Sequence, residues 1–171
     1  EKIDLKEDEL GVVDEEELKQ YDDYTEIINI ALLGIDSTDS TSGRSDSIMV
    51  ATLDPIHNKL KLTSFMRDSY VNISNYGYDK LNHAYAYGGA NLAINTLNTN
   101  FGLNITDFVA VDFASLPKII DSLGGITIDI TEEELNYING YINNINSVSG
   151  TNSPIITTPG AHHVDGAQAL A

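Results

Sequence analysis

Ile27–Gly34 reads IINIALLG, an apolar run interrupted only by Asn29 and closed by a glycine. Such a run predicts a strand buried on both faces. It is followed by Asp36–Asp46, a loop rich in Asp, Ser, Thr and Gly. Beyond it lie two strand-like segments, Ser47–Leu53 (SIMVATL) and Lys59–Phe65 (KLKLTSF). Pro55 and Asn58 mark a turn between them, with His57 exposed in it. In the second segment Lys59, Lys61 and Thr63 alternate with Leu60 and Leu62, so one face is expected to be wet. Ala90, Ala93, Ile94, Leu97 and Phe101 follow helical spacing, with Gly102 placed to end the helix. Asp107–Val111 reads as a strand. Leu116, Ile119, Ile120 and Leu123 repeat the helical spacing, with Pro117 tolerable in the first turn and Gly124 at the end. Ile126–Ile130 (ITIDI) alternates as a strand, and Asn-, Ser- and Thr-rich residues 137–158 read as a long surface excursion. Val164, Ala167 and Leu170 predict a last helix, preceded by a turn at His162–His163. Strands, helices and a hairpin interleaved in this order predict an α/β fold, a mixed β-sheet sandwiched between helices (α-β-α).

The 171 residues suffice for one domain and carry a formal net charge of −17. Only two of the nine basic residues are arginines, Arg44 and Arg67. With no broad basic face, binding of nucleic acid by phosphate neutralisation is excluded, as is polybasic docking on an anionic membrane. There is no cysteine, and therefore no disulfide or thiol chemistry. No stretch of about 18 apolar residues predicts a membrane span. Residues 1–26 hold 12 acidic residues against 3 lysines, more than half the net charge. They read as an acidic leader or spacer, partly helical if Asp14 and Glu17 cap a short helix through Tyr21. The folded domain is expected over 27–171. Both ends read as trimmed, since Glu1 is no natural start and Ala171 ends inside an apolar-periodic stretch.

The common signatures of nucleotide binding, serine hydrolases, zinc proteases and paired-cysteine metal sites are all missing. The loop from Asp36 fails as an EF-hand, because its sixth position is Thr41 and its twelfth Ser47. His162 and His163, adjacent in sequence, point apart and do not chelate as a pair. What remains is a constellation. Asp36 follows the first strand directly, Arg44 and Asp46 precede the second, and Arg67 and Asp68 follow the third. If these strands are neighbours, these charges converge at one sheet edge, where ligands of sheet-based folds commonly bind. Carboxylates suit Mg²⁺, which keeps positions for phosphate oxygens, and guanidinium groups bind phosphate bidentately. Ordinary surface ion pairs, worth about 0–1 kcal/mol, would place the same residue types at strand ends. Both arginines nevertheless fall beside aspartates at strand ends. The 16 Asn and 20 Ile suggest a composition bias against Arg, under which the two that persist are those Lys could not replace.

Six ordered blocks carry a resemblance: IALLGID (30–36), GRSDSI (43–48), SFMRDSY (64–70), KLNHAYAYGG (80–89), DSLGGITID (121–129) and PGAHHVDGAQALA (159–171). Together they resemble the LytR–CpsA–Psr family over Ile27–Ala171, about 85 % of the chain. The resemblance implies a sheet between helical layers, in a domain tethered to the membrane by an N-terminal anchor outside these residues, on the extracellular face of a mainly Gram-positive cell. It implies a Mg²⁺-dependent phosphotransferase. The donor would be an undecaprenyl-pyrophosphate-linked glycopolymer (teichoic acid or capsular-type polysaccharide), and the acceptor peptidoglycan, at the 6-hydroxyl of N-acetylmuramic acid. Asp36 and Asp46 match the metal-associated aspartates, and Arg44 and Arg67 the arginines that grip pyrophosphate. Asp68 matches the aspartate after that arginine, and Lys80, Asn82 and His83 a Lys-x-Asn-His block in supporting roles. An aspartate, Asp36 among them, would accept the hydroxyl proton; base and metal ligand are not separated by this match.

The family's last helix continues past Gln168-Ala169-Leu170-Ala171 into two arginines that complete the pyrophosphate site. These 171 residues alone are therefore expected to fold and to lack full activity. Two rival readings stand beside the transferase: a non-catalytic wall protein that binds polyprenyl phosphate or polysaccharide in regulation, and a pyrophosphate hydrolase. The charge permits all three. Asp36, Asp46 and Asp68 against Arg44 and Arg67 leave the site at −1, and one Mg²⁺ would make it +1.

Overall fold

The computed structural model describes residues 5–12, 27–37 and 43–171. The Asp14–Glu17 capping pair and the centre of the Asp36–Asp46 loop fall outside them. The chain divides into two compact units, Glu1–Asp112 and Phe113–Ala171.

In the first unit the chain runs β1 (Ile28–Ile35), β2 (Ser45–Asp54), β3 (Lys59–Phe65), β4 (Tyr70–Ile73), β5 (Gly77–Lys80), α1 (His83–Phe101) and β6 (Asp107–Asp112). A mixed sheet takes the order β3-β2-β1-β6, with β1 antiparallel to β2 and parallel to β6. β4 and β5 form a separate antiparallel hairpin. The apolar run was expected to be buried on both faces, and it is buried on one. Ala31, Leu33 and Ile35 join Ile48 and Val50 in a core completed by Ala90, Ala93, Ile94 and Leu97 of α1. On the other face Ile28, Leu53, Leu60, Leu62 and Val109 are exposed. β3 is an edge strand, wet on both faces up to Phe65, which packs on Phe101 at a ring separation of 4.7 Å.

α1 is interrupted at Gly88 and Gly89, so its long stretch begins at Ala90 as the spacing predicts, and Gly102 ends it at φ 64°. Part of the acidic stretch expected ahead of the domain is packed into it. Leu10 is fully buried, and Asn98 donates to the carbonyls of Leu10 (2.9 Å) and Ile105 (3.0 Å) while accepting from the Ile105 amide. Every hydrogen-bonding atom of that buried side chain amide is thereby used. The ordered core thus reaches back to Leu10, before a short 3₁₀ turn at Glu7–Glu9 is counted.

The second unit holds α2 (Leu116–Ser122), β7 (Ile126–Ile130), α3 (Glu132–Ser149), β8 (Gly160–Val164) and α4 (Gly166–Leu170). Its core is Ile130, Ile142, Ile156 and Val164. Two expectations are corrected here. Most of the supposed surface excursion 137–158 is the helix α3, opened by a reciprocal capping box between Thr131 and Glu134. The segment after it folds back because Asn139 bonds both the amide and the carbonyl of Ile156, and Asn146 does the same for Ser153. His162 and His163 lie in β8, not in a turn. As neighbours in a strand they point apart, His162 to the Thr158 carbonyl and His163 to the Gly124 carbonyl. Among the described residues no helix is long and apolar enough to cross a membrane.

Candidate active site

The site is built where β1, β2 and β3 end. Gly34 pairs with Ser47 and Ile35 with Ser45, which leaves Asp46 as an extra residue with no partner on β1. A bulge of this kind turns a side chain out of the regular alternation. The loop closes just beyond it, where the Asp36 amide donates to the Arg44 carbonyl at 2.9 Å. Gly43 permits this closure: its φ is 118°, and a Cβ there would lie 2.8 Å from the Asp36 carbonyl oxygen. Arg44 then reaches back to Asp36, Nη2 to Oδ2 at 3.4 Å, with both side chains about half exposed.

Arg67 emerges from the end of β3 and ties the cluster together. Its Nη1 donates to Asp46 Oδ2 at 2.7 Å, and its Nε lies 3.6 Å from Asp68 Oδ2. The other oxygen of Asp68 accepts from Lys80 Nζ at 2.6 Å. Lys80, first among these partners, holds the Asp68 carboxyl below the usual carboxylate range, with Arg67 adding to the effect. The hairpin is clipped onto this segment by its backbone. The Leu81 amide donates to the Ser69 carbonyl (2.8 Å) and the Asn82 amide to the Arg67 carbonyl (3.0 Å). That places Asn82 beneath Asp46, where Nδ2 donates to Oδ1 at 3.0 Å. Asn82 is only 4 % exposed, and among the described residues neither its Oδ1 nor the buried Ser45 Oγ has a hydrogen-bond partner. Unpartnered buried oxygens are uncommon in folded proteins, and here two adjoin Asp46 in sequence or space.

The structure therefore joins Asp46, Arg67, Asp68, Lys80 and Asn82 into one network, with the Asp36–Arg44 pair at the loop end of the β1–β2 pair that carries Asp46. Lys80 was expected only in a supporting role, and it adds the third cation: three carboxylates now face three cations. His83 is not brought into this network. Its Nδ1 lies 2.9 Å from Asp79 Oδ2, which also accepts from the Tyr87 hydroxyl at 2.6 Å. Tyr87 and then His83, with the Lys80 amide, lower the Asp79 carboxyl to about 2, and the phenol of Tyr87 is raised in turn. Sequence reasoning missed Asp79 and Tyr87, although the i, i+4 spacing of Asp79 and His83 was available to find them.

The donor set around Asp46 suits a hard cation. Asp36, Asp46 and the unpartnered Asn82 Oδ1 offer oxygen only, the choice of Mg²⁺ rather than of a softer metal. Among the described residues no three His, Asp or Glu side chains are grouped to hold a metal by themselves. The remaining positions would be filled by water and by phosphate oxygens.

Four similarities bear on this geometry. The LytR_cpsA_psr family model matches residues 3–171. A polyisoprenyl-teichoic acid–peptidoglycan teichoic acid transferase, TagU of Oceanobacillus iheyensis, is 35 % identical over 121 residues, 67 % of this chain and 38 % of that protein. The regulatory protein MsrR of Staphylococcus aureus is 42 % identical over 108 residues, 62 % of this chain and 33 % of its own. The chain thus spans less than two fifths of the length of these curated relatives. Among solved structures, the LytR-CPS2A-psr family protein YwtF (TagT) with bound octaprenyl pyrophosphate lipid aligns with a TM-score of 0.65. That alignment has 28 % identity and covers 88 % of this chain and 57 % of that one.

Proposed function

The chain belongs to the LytR–CpsA–Psr family, and from that premise we propose that the protein it comes from is a Mg²⁺-dependent phosphotransferase. It moves an anionic glycopolymer from an undecaprenyl-pyrophosphate carrier onto peptidoglycan, on the outer face of the membrane that anchors it. The observation that carries this reading is the Asp46–Arg67–Asp68–Lys80–Asn82 network beside the Asp36–Arg44 pair. Its cations are half exposed, held in place by carboxylates and available to phosphate.

In this mechanism Arg67 and Arg44 take the non-bridging oxygens of the pyrophosphate, and Lys80 adds a third positive charge on the hairpin side. Asp46 fixes the Arg67 guanidinium and Asp68 fixes Lys80, so the cations are oriented before substrate arrives. Asp36 and Asp46, with Asn82 Oδ1, would hold Mg²⁺, which would supply neutralisation of the pyrophosphate charge. The acceptor hydroxyl oxygen forms a bond to the phosphorus that bears the polymer, and the bond from that phosphorus to the bridging oxygen breaks. Undecaprenyl phosphate leaves with that oxygen, and the hydroxyl proton passes to a carboxylate, for which Asp36 is proposed.

The test uses the intact protein with a lipid-linked polymer, with and without a peptidoglycan glycan. Undecaprenyl phosphate and polymer–glycan product, both dependent on Mg²⁺ and on acceptor, are expected. Polymer phosphate released without acceptor would mean a hydrolase. Carrier binding without turnover would instead favour the regulatory reading suggested by the name of the Staphylococcus aureus relative.

A further inference from the structure

The hairpin that delivers Lys80 to the site carries three exposed tyrosines, which with Tyr87 of α1 make two stacked pairs. Tyr70 of β4 and Tyr78 of β5 are 75 % and 66 % exposed, with ring centroids 5.5 Å apart and planes 29° from parallel. Tyr76 and Tyr87 stack at 4.5 Å and 12°, beside a cavity of about 510 Å³ lined in part by Asn75, Asn91 and Asn95. The strand alternation places Tyr70, Asn72, Tyr78 and Lys80 on the outward face, while Val71 and Ile73 are buried beneath. Tyr70 stands directly opposite Lys80 in the register. The hairpin is pinned to α1 by Asn100, whose side chain bonds both the amide and the carbonyl of Asn72. Cross-strand aromatic pairing by itself stabilises a hairpin. Pairing alone does not require both rings to stand in water next to a phosphate-binding cluster.

We propose that the Tyr70–Tyr78 pair is a stacking platform for a pyranose ring of the peptidoglycan glycan strand, positioning the acceptor beside Lys80 and Asp68. This rests on the transferase reading above. A sugar presents an apolar C–H face that covers an aromatic ring, while its hydroxyl and acetamido groups are left to Asn72 and to water. Rigid tyrosines lose little conformational freedom on binding. Charge selects the acceptor over the donor polymer. Tyr70, Asn72 and Tyr78 carry no charge, and Lys80 beside them serves the pyrophosphate, so the platform itself has no cation for a string of polymer phosphates. The same lack of a cation disfavours an anionic lipid surface.

The experiment compares the intact protein with Tyr70→Ala and Tyr78→Ala, with Tyr70→Phe and Tyr78→Phe as conservative controls. Ring NMR signals of Tyr70 and Tyr78, assigned from the two phenylalanine variants, report the platform during titration with a soluble N-acetylated glycan. The expected result is a KM for the glycan acceptor raised about 3- to 10-fold by either alanine, with kcat and carrier affinity unchanged and the phenylalanine variants near wild type. Shifts of the Tyr70 and Tyr78 rings on glycan addition are expected in wild type even if transfer is absent, so the platform and the transferase reading can fail separately. Acceptor KM unchanged in both alanine variants, or ring signals that respond only to lipid vesicles, would overturn the proposal.

Discussion

Strand β5 serves two clusters, and they are built in opposite ways. Lys80 points outward into a network that joins separate segments: Asp68 and Arg67 just past β3, Asp46 of β2, and Asn82, which reaches Asp46 from 36 residues on. Its neighbour Asp79 turns the other way, to His83 and Tyr87, four and eight residues on. The local cluster is closed. Its carboxylate takes two side chains and a backbone amide, and these bonds hold it ionised far below the ordinary Asp value. The long-range network is open: half-exposed guanidinium and ammonium groups, and a buried Asn82 oxygen with no partner. Satisfied groups hold a fold, and unsatisfied ones wait for a ligand.

The largest effect should come from cutting the open network at its centre. Asp46→Ala frees both Arg67 and the Asn82 amide, and transfer by the intact protein should fall about 10²- to 10³-fold, the usual loss for one preorganised charge-stabilising contact. The thermal midpoint by circular dichroism should fall by a few degrees, because the buried Asn82 amide loses its acceptor while the more exposed Arg67 can turn to water. If Asp79→Asn lowered activity as much, the division into open and closed clusters would be wrong. A smaller loss, about tenfold, is expected for Arg44→Ala, since Arg44 makes one longer contact where Arg67 is gripped by two carboxylates. Equal losses for the two arginines would erase the asymmetry between loop and network.

The smallest effect belongs to the closed cluster and is read by pH. Asp79 has a folded-state pKa of about 2, below its ordinary value of 3.8. Its contribution to stability is therefore fully present above about pH 4 and is lost as pH falls through about 2. Carboxyl ¹³C NMR should place its midpoint near 2, and Tyr87→Phe, which removes the largest cause, should raise it. A midpoint near 4 in the wild-type protein would show that the cluster is not closed at all.

The open network was legible in the sequence to the extent that strand ends were. Asp36, Asp46, Arg67 and Asp68 stand where apolar patterning stops, and β1, β2 and β3 are long enough for that patterning to show. Asp79 and Tyr87 were not legible, because β4 and β5 have four residues each and the alternation Tyr-Val-Asn-Ile is too short to stand out from a loop. Without the hairpin, nothing says that Lys80 and Asp79 face opposite ways. α3 was hidden for another reason. Its five Asn and one Gly are weak helix formers, and they outweigh by composition a helical spacing that Leu135, Ile138, Ile142 and Ile145 do carry. Tertiary packing of Ile142 and the Thr131 cap decide the matter, and neither is a propensity.

The extra residue in β2 makes the site a question of parity. On the sheet side of the bulge the buried face is written in even numbers, Ile48 and Val50; beyond it Ser45 is the buried residue, and odd numbers take over. Asp46 is the point where the count changes. Substitutions around it alter what the carboxylate meets, whereas removing or adding a single residue between Ser45 and Ser47 would shift the phase itself. Such a change would realign a regular ladder by exchanging inside for outside on one flank. A replacement in this strand leaves the phase intact, whereas the number of its residues decides which flank faces the core.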